Sequence, residues 1–193
     1  MRDLSLGEVW YNHRMRRITP FSDKLIFFDA EFTSLEYEKS ELLSFGAVTL
    51  DGATFYCEID HDTRDVSDFV REHVLPTLTA PKISLDAART QIRAFIAEHF
   101  GDHHPYLVTY VYKYDAYHWY KLFGYQDEMT QRIILDFASM LFALGVDPEQ
   151  HSASQRDDFL RTLGIDGSAF AKHNALDDAR ILRAAYLALA APQ

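Results

Sequence analysis

The sequence predicts an α/β protein: a mixed sheet of five or six strands, with an antiparallel hairpin at one side and helices on its faces. Three observations carry this. Apolar runs of strand length recur early in the chain and again in its middle. Asp51-Gly52 joins two of the early runs, and both residues tolerate the positive φ that a tight hairpin turn needs. Segments with apolar residues at helical spacing then alternate with short apolar runs, as crossover connections to a mixed sheet require.

Each element has its own signal. Residues 1–23 read as an extension, with a basic cluster at Arg14, Arg16 and Arg17 and a break at Pro20, expected to dock loosely. The domain proper is expected to cover residues 24–193. Lys24 to Phe28 reads as a buried strand ending at Asp29, and Glu41 to Leu50 as a second, nearly continuous apolar strand. The third alternates, with Ala53, Phe55, Cys57 and Ile59 on one face and Thr54, Tyr56, Glu58 and Asp60 on the other, the pattern of a half-exposed edge. Asp65 to Val74 reads as a short helix. Ser84 can cap the next one, whose stripe is Leu85, Ala88, Ile92, Phe95, Ile96 and His99, ended by Gly101. Tyr106 to Tyr112 predicts a fourth strand, Asp115 to Phe123 a helix, Arg132 to Leu135 a fifth strand and Phe137 to Leu144 a helix stopped by Gly145. Gln155 to Leu163 and an Ala- and Leu-rich stretch from Ala175 to Ala190 complete the helices. This order is compatible with a ribonuclease H-like fold, although topology alone does not establish one.

The formal net charge of −10 excludes a general duplex binder, which would coat phosphates with Lys and Arg. An acidic protein can still act on a short strand or a strand end if metal ions supply local positive charge. Cys57 is the one cysteine, so neither a disulfide framework nor a cysteine-based zinc site can form within the chain. The opening residues carry no apolar stretch of signal-peptide length, and no run approaches the roughly 20 apolar residues of a membrane helix. A cytoplasmic protein is expected.

The chemistry-bearing residues lie far apart in the chain. Asp29 and Glu31 are two apart at the end of an apolar strand, so they share a face, where a divalent cation could offset their burial. A strand emerging into solvent would look the same. Asp115 follows an apolar run and opens a helix, which an ordinary N-terminal cap also explains. In His173-Asn174-Ala175-Leu176-Asp177-Asp178-Ala179-Arg180, Asn174 can cap the last helix and Asp177 suits its first turn. His173 and Asp178 need another reason. Together they offer a general base and a metal ligand, since an imidazole with an ordinary pKa of about 6.5 has its neutral form available.

Asp29-x-Glu31, Asp115 and His173-x4-Asp178 resemble the DEDD exonucleases with a histidine in the last motif. Within that group, the chain is most similar to small bacterial and phage-type 3′-5′ exoribonucleases. The resemblance runs from about Lys24 to Leu189. It departs from the family in motif two, where Val111 stands at the usual Asn, with Asp127 and Asp136 as rivals to Asp115. It departs again after motif one, which continues Phe32-Thr33-Ser34-Leu35 rather than Thr-Thr-Gly-Leu.

The resemblance implies two Mg²⁺ or Mn²⁺ ions held by Asp29, Glu31, Asp115 and Asp178, with His173 as base. It also implies substrate contacts at Phe32, Thr33, Leu35 and Asn174, nucleoside 5′-monophosphate products, single-stranded RNA favoured over DNA at a 3′ end, and a possible homodimer. His118 could approach the site, and Lys113, Lys121 and Lys172 could meet phosphate. A non-catalytic nucleic-acid-binding module or a metal-dependent nucleotide phosphohydrolase are the competing functions.

Overall fold

The computed structural model describes residues 17–61, 66–151 and 155–190. Six strands form one sheet: β1 (Leu25–Phe32), β2 (Leu42–Thr49), β3 (Thr54–Ile59), β4 (Lys82–Ile83), β5 (Tyr106–Thr109) and β6 (Ile134–Asp136). Their spatial order is β4-β3-β2-β1-β5-β6. The pairs β1–β2 and β2–β3 are antiparallel, and β3–β4, β1–β5 and β5–β6 are parallel. The helices are α1 (Leu85–Phe100), α2 (Tyr112–Phe123), α3 (Phe137–Leu144), α4 (Arg156–Thr162) and α5 (Ala175–Leu189). A six-stranded mixed sheet flanked by helices is the predicted class, consistent with the ribonuclease H-like fold.

Strand β1 is central, so alternate residues are buried on opposite faces. Ile26 and Phe28 join Phe45, Ile92, Phe95 and Trp119 in one core layer. Leu25 and Phe27 join Val108, Phe137, Phe159, Ile181 and Tyr186 in the other. Asp29 and Glu31 continue the second series, so the alternation that buries Leu25 and Phe27 aims both acids towards the α5 side.

Several elements differ from expectation. β1 does not stop at Asp29 but runs to Phe32, because β2 pairs with it beyond that point, with an irregularity between Glu31 and Phe32. β3 is not the edge, since the short β4 pairs alongside it. Its supposed outer residue Glu58 is buried, accepting hydrogen bonds from the amides of Thr79 and Ala80 at 2.8 Å and from the Tyr56 hydroxyl. Strand β5 ends at Thr109, and the aromatic run beyond it becomes the first turn of α2 three residues before Asp115.

In the segment predicted as one short helix, Val70–Val74 forms a π-helical turn and Leu75–Thr77 a 3₁₀ turn, while Asp65 lies outside the described residues. On α1, Ala88, Ile92, Phe95 and Ile96 are buried, while Leu85 and His99 at the stripe's ends are exposed. Within the expected extension, Arg14 and Arg16 lie outside the described residues. Ile18 pairs with Ala190 and packs on the second core layer. Among the described residues no helix is long and apolar enough to cross a membrane.

Candidate metal centre

Two segments meet at one end of β1. Asp29 and Glu31 come from the strand, and Asp178 comes from the first turn of α5. Each offers a carboxylate oxygen, and the three oxygens lie within 4.8 Å of one another. Gly46 permits the approach. It sits opposite Asp29 on β2, and a Cβ there would lie 2.3 Å from the backbone carbon of Ala175, so any larger residue would push the helix off the sheet. The helix start is fixed in turn by Asn174, whose side-chain oxygen accepts from the Asp177 amide at 3.2 Å, and by Asp177, which accepts from the Ala171 amide at 2.9 Å.

Asp115 stands beside this trio but outside it. It is buried, accepts a hydrogen bond from the Ala30 amide at 3.2 Å and takes a second from the Thr109 hydroxyl. Its rivals have other work. Asp136 caps α3 and accepts from the Tyr112 amide, and Asp127 accepts from the Met129 amide and pairs with Arg93. Thus the geometry brings Asp115, not the other two, to the acids.

Crowding shows in the protonation of these groups. Burial and then the charges of Asp115, Asp178 and Glu31 push Asp29 well above the ordinary carboxylate range. Burial, then Asp178 and Asp115, raise Glu31 to about 8. Asp115 rises to about 7, chiefly by burial, against the pull of its Thr109 and Ala30 hydrogen bonds. Asp178 rises to about 6 by burial, opposed by Arg156. This group of carboxylates could hold a cation, and an all-oxygen donor set fits Mg²⁺ or Mn²⁺.

His173 lies five residues before Asp178, in the loop that leads into α5, and lines the same cleft of about 530 Å³. Its backbone is left-handed, with φ 57°. The Thr77 hydroxyl lies 2.7 Å from its carbonyl oxygen, tying the loop to the turn that follows the π-helical segment. Phe69 meets the imidazole edge-on at 5.1 Å between ring centres, and His73 lies at 6.0 Å. Burial first, then the charges of His73 and Arg156, lower the His173 pKa and so favour the neutral ring.

The remaining predicted positions scatter more widely. Phe32 lines the cleft and stacks on His118 at 4.7 Å and Tyr114 at 6.0 Å. Leu35 is 64% exposed. Thr33 is buried, its hydroxyl accepting from the Glu41 amide. His118 shares a 3.1 Å hydrogen bond with Ser40 and lines a smaller cleft of about 240 Å³ bounded by none of the four acids. Burial lowers its pKa to about 4. Lys121 bonds the Ser40 carbonyl, Lys172 pairs with Asp157 at 3.0 Å, and Lys113 lies over the Tyr114 ring.

Sequence reasoning missed Arg156, Thr77 and Gly46. Arg156 is buried at the start of α4, with Nη1 2.7 Å from Asp178 Oδ1. No local pattern singles it out, since an arginine opening a short polar helix looks like surface.

No sequence profile of a known family matches the chain. A 73-residue stretch, 37% of the chain, is 37% identical to a 3′-5′ exoribonuclease of Mycobacterium tuberculosis, matched in strain CDC 1551 / Oshkosh and in strain H37Rv. The matched stretch spans 43% of the length of these curated relatives.

Proposed function

We propose that the chain is a metal-dependent 3′-5′ exonuclease that trims single-stranded nucleic acid, RNA in preference to DNA, to nucleoside 5′-monophosphates. The observation that supports it best is the meeting of Asp29, Glu31 and Asp178 within 4.8 Å, with Asp115 and His173 on the same cleft. The partial similarity to 3′-5′ exoribonucleases points the same way and favours RNA.

In this reading Asp29, Glu31 and Asp178, with Asp115 beside them, would supply the oxygen donors that hold the metal. Bound Mg²⁺ or Mn²⁺ would lower the pKa of the attacking water and stabilise the departing 3′ oxygen. His173 accepts the water's proton, a role suited to an imidazole whose neutral form is favoured by burial and neighbouring charge. The Thr77 bond and the edge-on Phe69 ring hold the imidazole's position.

On the substrate side, Leu35 presents open apolar surface that could wedge beside a terminal base. Phe32, Tyr114 and Tyr37 form a series of stacked rings from the cleft wall to solvent, which suits unpaired bases. Thr33 and Asn174 have side chains engaged within the protein, so here they place the Leu35 loop and the start of α5.

End-labelled single-stranded RNA and DNA, incubated with Mn²⁺ or Mg²⁺ and with chelator, test the proposal. A ladder shortening from the 3′ end only with metal is expected. Binding without cleavage would favour a binding module, and hydrolysis of mononucleotides alone would favour a phosphohydrolase. Cleavage that persists in EDTA would sink the metal reading.

A further inference from the structure

We infer that Arg156 is a positioning residue with two stations: in the metal-free protein it holds Asp178 as resident counter-ion, and when a divalent ion takes that carboxylate it moves to Asp157. This rests on the metal reading above and extends it to a residue outside the acid and histidine set.

The argument begins with unmet bonding. A guanidinium carries five N–H donors, and a buried one ordinarily uses several. The Arg156 side chain is 7% exposed, and its Nη1 makes a charge-assisted bond to Asp178 Oδ1 at 2.7 Å. Nε and Nη2 are buried with no hydrogen-bond partner. Asp157 Oδ1 is a buried acceptor that also lacks one. It stands 3.8 Å from Arg156 Nε, close enough for attraction and too far for a hydrogen bond. Asp157 is anchored through its other oxygen, Oδ2, by Lys172 at 3.0 Å. An idle donor, Nε, therefore sits beside an idle acceptor, and a small shift of the guanidinium would join them.

Charge supplies the reason to move. Among the described residues, no cation other than Arg156 forms an ion pair with Asp29, Glu31, Asp115 or Asp178. A divalent ion reaching Asp178 competes for an oxygen already bonded to Nη1, and two cations on one buried carboxylate repel. Asp157 offers the displaced charge a partner, so the guanidinium is not stranded. Arg156 and metal then oppose each other, while Asp157 and metal assist each other.

Isothermal titration of the metal-free full chain with MnCl₂ at about pH 8 tests this. Arg156→Met should bind Mn²⁺ about tenfold more tightly than wild type, within the usual range for coupled sites. Asp157→Asn should bind it several-fold more weakly. A merely structural guanidinium would give the opposite sign for Arg156→Met, or no change, and either result overturns the inference.

Should Arg156→Met fail to fold, wild type still decides. Side-chain ¹⁵N NMR on arginine-labelled protein, with the signal assigned by Arg156→Lys, should show the Arg156 Nε resonance moving on Mg²⁺ addition. An unmoved resonance at saturating Mg²⁺ overturns the switch while leaving the metal site standing. If wild type binds no Mn²⁺ at all, the metal reading itself fails.

Discussion

His173 holds a backbone angle that few side chains accept, and it keeps that angle because neighbours impose it. A φ of 57° costs a non-glycine residue energy that surrounding contacts must offset. Thr77 and Phe69 supply such contacts from a segment about a hundred residues earlier. His173→Ala should lower kcat by about 10² to 10⁴-fold while leaving oligonucleotide affinity near wild type, the span usual for a lost general base. Single-turnover kinetics beside a binding titration check it, and unchanged kcat removes His173 from the base role. His173→Asn makes the better inactive control, since Asn tolerates the left-handed region; its stability should stay within about 1 kcal/mol of wild type. The acids and His173 are legible as a candidate set through the resemblance of their combined pattern to a family, since an emerging strand explains Asp29 and Glu31 alone and a helix cap explains Asp115. Arg156 is not, because its partner is twenty-two residues away and only the tertiary fold joins them.

At the level of elements, the site depends on how closely α5 meets the sheet. Gly46→Ala should destabilise the protein by about 1–3 kcal/mol, because the added methyl meets helix backbone, which has little freedom to give way. It should also weaken Mn²⁺ binding, since the helix that moves carries Asp178. Thermal denaturation and metal titration measure the two effects, and lost stability with intact metal affinity would break the link between them.

Elements with complete local signals were legible in the sequence. Helix α3 has the expected bounds, closed by Gly145 with φ 80°, and the structure adds Asp136 as the cap of its other end. Elements defined by partners were not. The apolar run after Thr109 fits strand or helix equally, and the choice falls to helix only in the packed molecule. Nothing local marks Lys82 and Ile83 as a strand, and with β4 unseen Glu58 read as solvent-facing. Gly46 hid inside a continuous apolar strand, where its missing side chain had no visible purpose.

Across the whole molecule, the acid cluster makes stability depend on pH and metal. Unfolded carboxylates ionise near pH 4, whereas in the fold Asp178, Asp115 and Glu31 hold protons to about 6, 7 and 8. Over that window the folded state binds more protons, so stability is greatest below the unfolded pKa and falls as pH rises through the folded values. The melting temperature of the metal-free protein should drop from about pH 5 to about pH 8. Saturating Mn²⁺ should flatten the decline, because an ion bound only by the native state stabilises it. A slope that metal leaves unchanged would place its origin elsewhere in this acidic chain.

Cys57 offers a way to watch this from inside. It is the chain's one thiol, buried on β3, and burial pushes its pKa up to about 12. A water-soluble disulfide reagent can attack it only during excursions that peel that strand from its neighbours, so colour release in unmodified protein becomes a clock for the opening of that part of the sheet. Any cysteine later placed on the exterior will, by the same token, take up a fluorophore alone.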